Sequence, residues 1–364
     1  MPTIEVGVNP AYSVYIEAGL LARAGGLIHD TYDVERRFYV VSVAPVRKGW
    51  GADFASSLAA GGLQCEFLEI KGGERNKKLA TIEDLAGRMV RGSADRKSVL
   101  IAFGGGVVGD VTGFLASVFM RGIPYVQVPT TLLAQIDAAI GGKTGVNLAE
   151  GKNLVGTFYH PGLALIDPKV LSTLPEREYR SGLFEALKYG IIASPEIFRF
   201  LEENHEPILR RDPVVLEWLI TACVKVKAGI VAADEREWGQ RRILNFGHTI
   251  GHALEAETAY RQFLHGEAVA WGIIAAAMIA AALQRTDLKT AQRIIAAVLA
   301  YGPLPKVSAR ASRIVRRLAA DKKTVGGRVH FVLPAIIGNV EIVPDVPERV
   351  VVQAVEELRY LSGQ

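Results

Sequence analysis

Cysteine is scarce. Cys65 and Cys223 stand far apart in the 364 residues, so no Cys-x-x-Cys metal or redox motif exists and a disulfide framework is excluded. The two read as packing residues in a reducing, cytoplasmic setting. Charge of one sign is not in excess: 42 basic against 38 acidic residues leave a net +4. That is too mild to indicate nucleic acid as partner, although local lysines near a pocket would still steer an anion. Long apolar runs are missing as well. The longest uncharged stretch of the second half, Ala268 to Leu283, falls short of the roughly 20 residues a membrane span needs and reads as a buried helix. No membrane partner is expected, and the N-terminus shows no basic-then-apolar signal block. Low-complexity segments and internal repeats are absent too. A chain that is 49% hydrophobic and 22% charged has the composition of a globular protein, with length enough for a sizeable core.

What is present falls into two patterns. Up to about residue 170, β-branched apolar runs (Arg37–Val43, Cys65–Ile70, Ser98–Phe103, Tyr125–Val128, Leu163–Ile166) alternate with helical periods at Lys48–Ala60, Leu79–Arg91, Val107–Phe119 and Thr131–Ile140. Alternation of this kind predicts a parallel, Rossmann-like sheet covered by helices, with Ile4–Val8 and Ser13–Glu17 as an antiparallel pair at its edge. From 171 to 364 helical periods dominate, at Glu176–Ile192, Pro195–Glu203, Pro213–Ala233, Ile243–Glu257, Glu267–Leu283, Lys289–Tyr301 and Ser308–Leu318. A hairpin at Arg328–Leu333 and Val340–Val343 and a last helix at Pro347–Leu361 follow. The expectation is an α/β domain over 1–170 and a mostly α-helical domain over 171–364.

The third strand candidate of that alternation runs straight into Gly104-Gly105-Gly106-Val107-Val108-Gly109-Asp110. Glycines there let a pyrophosphate approach the backbone, and the helix that follows points free N–H groups at it. A tight strand–helix turn without ligand is the plainer reading. The loop comes late in the domain, and no acidic residue ends a strand about 20 positions on, as the ordinary dinucleotide motif requires. Thr130-Thr131 after the next strand, and the glycine–lysine loops at 141–145 and 151–153, add groups suited to phosphate. Each lysine alone could equally be a solvated surface group.

Three of the seven histidines fall between positions 248 and 265. His248 and His252 stand at i and i+4 and share a helix face. His265 opens the next helix, before Gly266-Glu267. Two imidazoles with either a carboxylate or a further imidazole could hold a divalent ion with one position open. Glu185, on an apolar helix with Lys188 one turn further, is the candidate carboxylate, since an unpartnered one would be costly there. Helix-capping or hydrogen-bonded core histidines remain the alternative, and the His-Glu-x-x-His of metalloproteases is missing. Lys225, Lys227, Asp234 to Glu237 and Arg241 form a charged stretch, either a salt-bridged helix exit or a polar pocket.

Taken in order, these segments carry a resemblance. Gly73-Glu74-x-x-Lys77, the 104–110 loop, Arg121-Gly122, Pro129 to Asp137, Gly141 to Asn147 and Gly151-Lys152-Asn153 are followed by Glu185-x-x-Lys188. Then come Arg241-x-x-Leu244-Asn245-Phe246-Gly247-His248-Thr249-x-Gly251-His252, Leu264-His265-Gly266-Glu267 and Asp321-Lys322-Lys323. Along nearly its whole length the chain resembles the 3-dehydroquinate synthase family of sugar phosphate cyclases.

The resemblance implies NAD on Gly73, Glu74, Lys77, Gly105, Gly106, Val107, Val108, Gly109, Asp110, Thr130, Thr131, Asp137, Lys143, Lys152, Val170, Leu171, Ser172 and Thr173. It implies Zn²⁺ or Co²⁺ on Glu185, His248 and His265. Substrate and catalytic contacts would come from Arg121, Asp137, Lys143, Asn153, Lys188, Lys227, Glu237, Arg241, Asn245, His252 and Lys323, or Lys322 in place of the last. The implied substrate is a seven-carbon sugar acid phosphate, 3-deoxy-D-arabino-heptulosonate 7-phosphate. It would become 3-dehydroquinate through transient oxidation, phosphate elimination, reduction, ring opening and aldol closure. A homodimer is also implied. Sister cyclases with other carbocyclic products, and iron-type polyol dehydrogenases of similar fold, are the alternatives. Arg241, Asn245 and His252 are the dehydroquinate-type set. The alanines at 138 and 139, where many members carry serine, put no role in doubt.

Overall fold

The computed structural model describes residues 1–33, 35–322, 329–344 and 346–363. The chain divides into two compact units, neither of them continuous in sequence: Met1–Pro175 with Arg211–Arg236, and Glu176–Arg210 with Glu237–Gln364. This corrects a single cut near residue 170. The helix Pro213–Ala233 belongs to the first unit, where it packs on the first strand and on the turn at 134–138. Its period reveals that it is a helix but not which neighbour it covers.

The first unit is built on a seven-stranded sheet. Its strands are β1 (Thr3–Val6), β2 (Tyr12–Ile16), β3 (Phe38–Val43), β4 (Cys65–Ile70), β5 (Val99–Gly104), β6 (Tyr125–Pro129) and β9 (Leu163–Ile166). Their order is β1-β2-β9-β6-β5-β3-β4, and every pairing except β1 with β2 is parallel. Central β5 and β6 are buried at every residue, as strands covered on both faces must be, and this is why they read as unbroken apolar runs. The carboxyl ends of β4, β5, β6 and β9 lead respectively into Gly73–Lys77, Gly105–Asp110, Thr130–Thr131 and Val170–Thr173. Four separated stretches of sequence are thus brought to one edge of the sheet, where ligands of parallel sheets bind.

Two expectations need correction in this unit. Thr131–Ile140 is not an α-helix: its core, Ala134–Ala138, is a π-turn. Gln135, fully buried inside that turn, donates through Nε2 to the carbonyls of Pro129 (3.2 Å) and Asp167 (2.8 Å). The turn is therefore shaped by tertiary hydrogen bonds that no local propensity reports. Lys143 to Gly145, read as part of a glycine–lysine loop, instead belong to a strand, β7 (Lys143–Val146), which pairs antiparallel with β8 (Val155–Phe158) beyond the second loop. Four residues per strand is too short for a period to show.

The second unit is helical, with one hairpin of β10 (His330–Ile336) and β11 (Asn339–Pro344). Its central helix, His265–Ala282, is long and apolar enough to cross a membrane by composition alone. It is apolar all round because neighbours surround it, and is the buried helix that the sequence predicts. The single helix expected over Ile243–Glu257 is broken. A 3₁₀ turn, Gln240–Asn245, is followed by Gly247 in the left-handed region (φ 78°), and the α-helix begins at His248. His248 therefore sits in the first turn of that helix rather than in its middle.

Candidate active site

Glycine sets how closely the helices of the second unit approach. A Cβ on Gly266 would lie 1.9 Å from the carbonyl oxygen of Ser181, and one on Gly272 would lie 1.7 Å from that of Gly247. Both partners are backbone and cannot swing aside. These two contacts draw the helix His265–Ala282 onto Glu176–Ala193 on one side and onto the start of His248–Glu257 on the other. Further ties fix the register. Gly266 N donates to Ser181 Oγ at 3.0 Å. Glu267 reaches back to the N–H of Leu264 (2.7 Å), and Arg177 grips its carboxylate with two bonds of 2.6 and 2.8 Å.

Glu185, His248, His252 and His265 converge as a result. Glu185 has no solvent exposure, and its Oε1 lies 3.7 Å from His248 Nε2 and 3.5 Å from His265 Nε2. Four ligand atoms held tetrahedrally at 2.0–2.1 Å from a zinc ion are about 3.3 Å apart, so these separations suit one shared divalent cation. The three histidines offer nitrogens within 4.8 Å of one another. Among the described residues Oε1 of Glu185 has no hydrogen-bond partner, and Lys188, itself 1% exposed, pairs with Oε2. His248 Nδ1 faces the carbonyl of Phe246 at 3.0 Å, which places the hydrogen on Nδ1 and leaves the Nε2 lone pair directed at Glu185. Burial holds the His248 imidazole well below its ordinary pKa, with the Lys188 ammonium and the other two histidines adding to the effect. Its neutral form, the one that binds metal, is therefore favoured. His265 is 35% exposed and His248 12%, so the cluster opens on the His265 side.

Near this cluster in sequence, Asn245 donates to Glu237 Oε1 at 2.9 Å, and Glu237 has a left-handed backbone (φ 61°). Arg241 is buried at 1% exposure. Lys323 lies outside the described residues.

In the first unit, Gly105 stands before the helix Gly106–Val118, whose first turn has no side-chain cap. A Cβ on Gly105 would approach Thr131 Cγ2 to 2.9 Å, and one on Gly109 would approach Gln127 Oε1 to 2.9 Å. The glycines thus allow close helix–strand packing and leave bare N–H groups at the strand end. The Thr130 hydroxyl is buried and has no hydrogen-bond partner among the described residues. Open amides and an unsatisfied hydroxyl fit the phosphates of a dinucleotide.

Lys77 is buried and pairs with Asp110 and Asn153. Asn147 donates to Glu74 Oε1 (2.8 Å), and its own Oδ1 accepts from the N–H of Asn153 (2.9 Å). Residues expected to serve cofactor and substrate thus form one network. Lys227, expected in the helical domain, is in the first unit, bonded to the Asp137 carbonyl at 2.6 Å and to its carboxylate. Thr173 Oγ1 accepts from Trp50 Nε1 at 2.8 Å. Lys143 and Lys152 lie on and beside the β7–β8 hairpin, and Arg121 is exposed with φ 73°.

Around the histidine cluster, Glu255, Ser181 and Arg177 were not singled out in the sequence as site residues. Glu255 had a readable signal, since it follows His248 and His252 at i+7 and i+3 on one helix face. The other two act through contacts between helices distant in sequence.

The architecture is shared with two solved synthases. One is 2-epi-5-epi-valiolone synthase from Streptomyces hygroscopicus subsp. jinggangensis 5008, with NAD⁺ and Zn²⁺ bound. It is 30% identical, matches over 96% of this chain and 97% of that one, and has a TM-score of 0.89. The other is 2-deoxy-scyllo-inosose synthase, complexed with carbaglucose-6-phosphate, NAD⁺ and Co²⁺, at 26% identity, 98% and 100% coverage and a TM-score of 0.89. The patterns for the N-terminal and C-terminal parts of 3-dehydroquinate synthase match residues 67–181 and 182–324. The 3-dehydroquinate synthase of Koribacter versatilis (strain Ellin345) is 59% identical over 96% of each chain. The chain belongs to the 3-dehydroquinate synthase family.

Proposed function

We propose that the chain converts 3-deoxy-D-arabino-heptulosonate 7-phosphate to 3-dehydroquinate and phosphate, as an NAD- and divalent-metal-dependent lyase. The observation that carries this reading is the convergence of Glu185, His248 and His265 at separations that suit zinc or cobalt, in a chain whose family pattern is continuous across both units. When bound, NAD accepts and returns a hydride and the metal acts as a Lewis acid on substrate oxygens.

The chain's own residues do the rest. Glu185, His248 and His265 would hold the metal, and Lys188 pairs with the Glu185 carboxylate and orients it. The open amides of Gly105–Val108, with Thr130 and Thr131, take the pyrophosphate. Glu74 and Lys77 serve the adenosine side, and Asp137, fixed by Lys227, serves the nicotinamide side. The cationic groups Arg121, Lys143, Lys188 and Arg241, with Asn153, Asn245 and His252, bind the carboxylate, hydroxyls and phosphate of the substrate. They stabilise charge as phosphate departs. Glu237 holds Asn245.

Purified enzyme loaded with NAD and zinc or cobalt should release phosphate from the heptulosonate phosphate with no net gain of NADH absorbance. Steady NADH accumulation with glycerol would overturn the reading in favour of a polyol dehydrogenase. A second copy of this chain is the expected partner, and sedimentation equilibrium giving a monomer mass would exclude it.

A further inference from the structure

The two imidazoles that face Glu185 are each held at their other nitrogen, but by different partners. For His248 the partner is the backbone carbonyl of Phe246. For His265 it is a carboxylate: Nδ1 lies 3.4 Å from Glu255 Oε2. Glu255 is 3% exposed, and burying a carboxylate is costly unless a donor or cation faces it. The helix end it occupies is closed by its backbone instead, since its carbonyl accepts from the N–H of Tyr260 at 2.8 Å and from Thr258 Oγ1 at 3.2 Å. Its carboxylate faces the His265 ring.

We propose that Glu255 is a positioning residue for the metal centre: it accepts the Nδ1 hydrogen of His265, fixes the tautomer that turns Nε2 toward Glu185, and sets metal affinity through that imidazole. The inference rests on reading Glu185, His248 and His265 as the ligands. His265 has more need of such a partner than His248. Both open their helices, but His265 is the more exposed of the two, so burial does less to fix its ring. A carboxylate behind a ligating imidazole also raises the basicity of the ligand and offsets the charge of the ion.

The test is zinc affinity of the full-length protein, measured by competition with a chromogenic chelator, for wild type, Glu255→Gln, His265→Ala and the double variant. Thermal unfolding of each metal-free form accompanies it. Glu255→Gln should bind zinc roughly 10- to 100-fold more weakly and melt, without metal, close to wild type. In the His265→Ala background the same change should add little, because the residue acts through that ring. Should Glu255→Gln fail to fold, Glu255→Asp takes its place, with weakened but measurable affinity expected. Zinc affinity within twofold of wild type, or an equal loss with and without His265, would overturn the proposal and leave the ligand reading intact. A wild-type protein that binds no zinc or cobalt would instead remove the ligand reading.

Discussion

His265→Ala should bind NAD with near wild-type affinity and yet release phosphate from substrate at least about 10²- to 10³-fold more slowly, the order of loss seen when one electrostatic stabiliser is removed from an active site. The glycine loop, Thr130 and the Lys77–Asp110–Asn153 network are all built within the first unit, whereas His265, His248 and Glu185 are built within the second. Deleting one imidazole leaves Glu185 fully buried, beside Lys188 and a single ligating ring, which is too few groups for a tight divalent site. Equilibrium dialysis with labelled NAD, run beside a phosphate-release assay and metal analysis, separates the outcomes. Parallel loss of NAD affinity would contradict the assignment of the two ligands to different units.

Gly272→Ala is the larger structural perturbation. Its methyl carbon would sit 1.7 Å from the Gly247 oxygen and 2.6 Å from the Gly247 carbonyl carbon. Relief requires the central helix to withdraw from the turn that launches His248, and overpacking of this kind costs about 1–3 kcal/mol, sometimes more. Metal content and melting temperature should therefore fall together. Gly229→Ala is the control: it lies exposed within a helix, and a Cβ there meets nothing within 4 Å. That change should be neutral or stabilising by about 0.4–1 kcal/mol. If Gly272→Ala kept full zinc content and wild-type melting, close helix approach could not be what gathers the ligands.

The two predictions draw on information that the sequence shows to different degrees. His248 and His252 announce a shared face by spacing alone, and the glycine loop shows its context by lying between a strand and a helix. Most of the strands and long helices were readable for the same reason, since burial on both faces or on one stripe leaves a period. Glu185 could be picked out because a carboxylate amid Leu183, Phe184, Ala186 and Leu187 needs a reason to be there. Other features carry no local trace. The π-turn at Ala134–Ala138 depends on Gln135 reaching two carbonyls, one of them 32 residues away. The Lys227–Asp137 pair spans 90 residues and joins segments whose sequence patterns point to different domains. Gly272 within an Ala-rich helix looks like one more small residue until the carbonyl of Gly247 is seen against it.

The interleaved connectivity of the two units has a consequence for how this protein can be cut. The chain passes from one unit to the other at three points, after Pro175, Arg210 and Arg236. A piece ending at Pro175 would hold every strand of the parallel sheet but not the helix Pro213–Ala233, and with it Asp137 would lose Lys227. The reciprocal piece, from Glu176 onward, would carry that helix as an orphan with its apolar face bare. Neither half is therefore a portable module. Separating dinucleotide binding from metal binding would take a rejoined chain that splices 211–236 onto the first 175 residues.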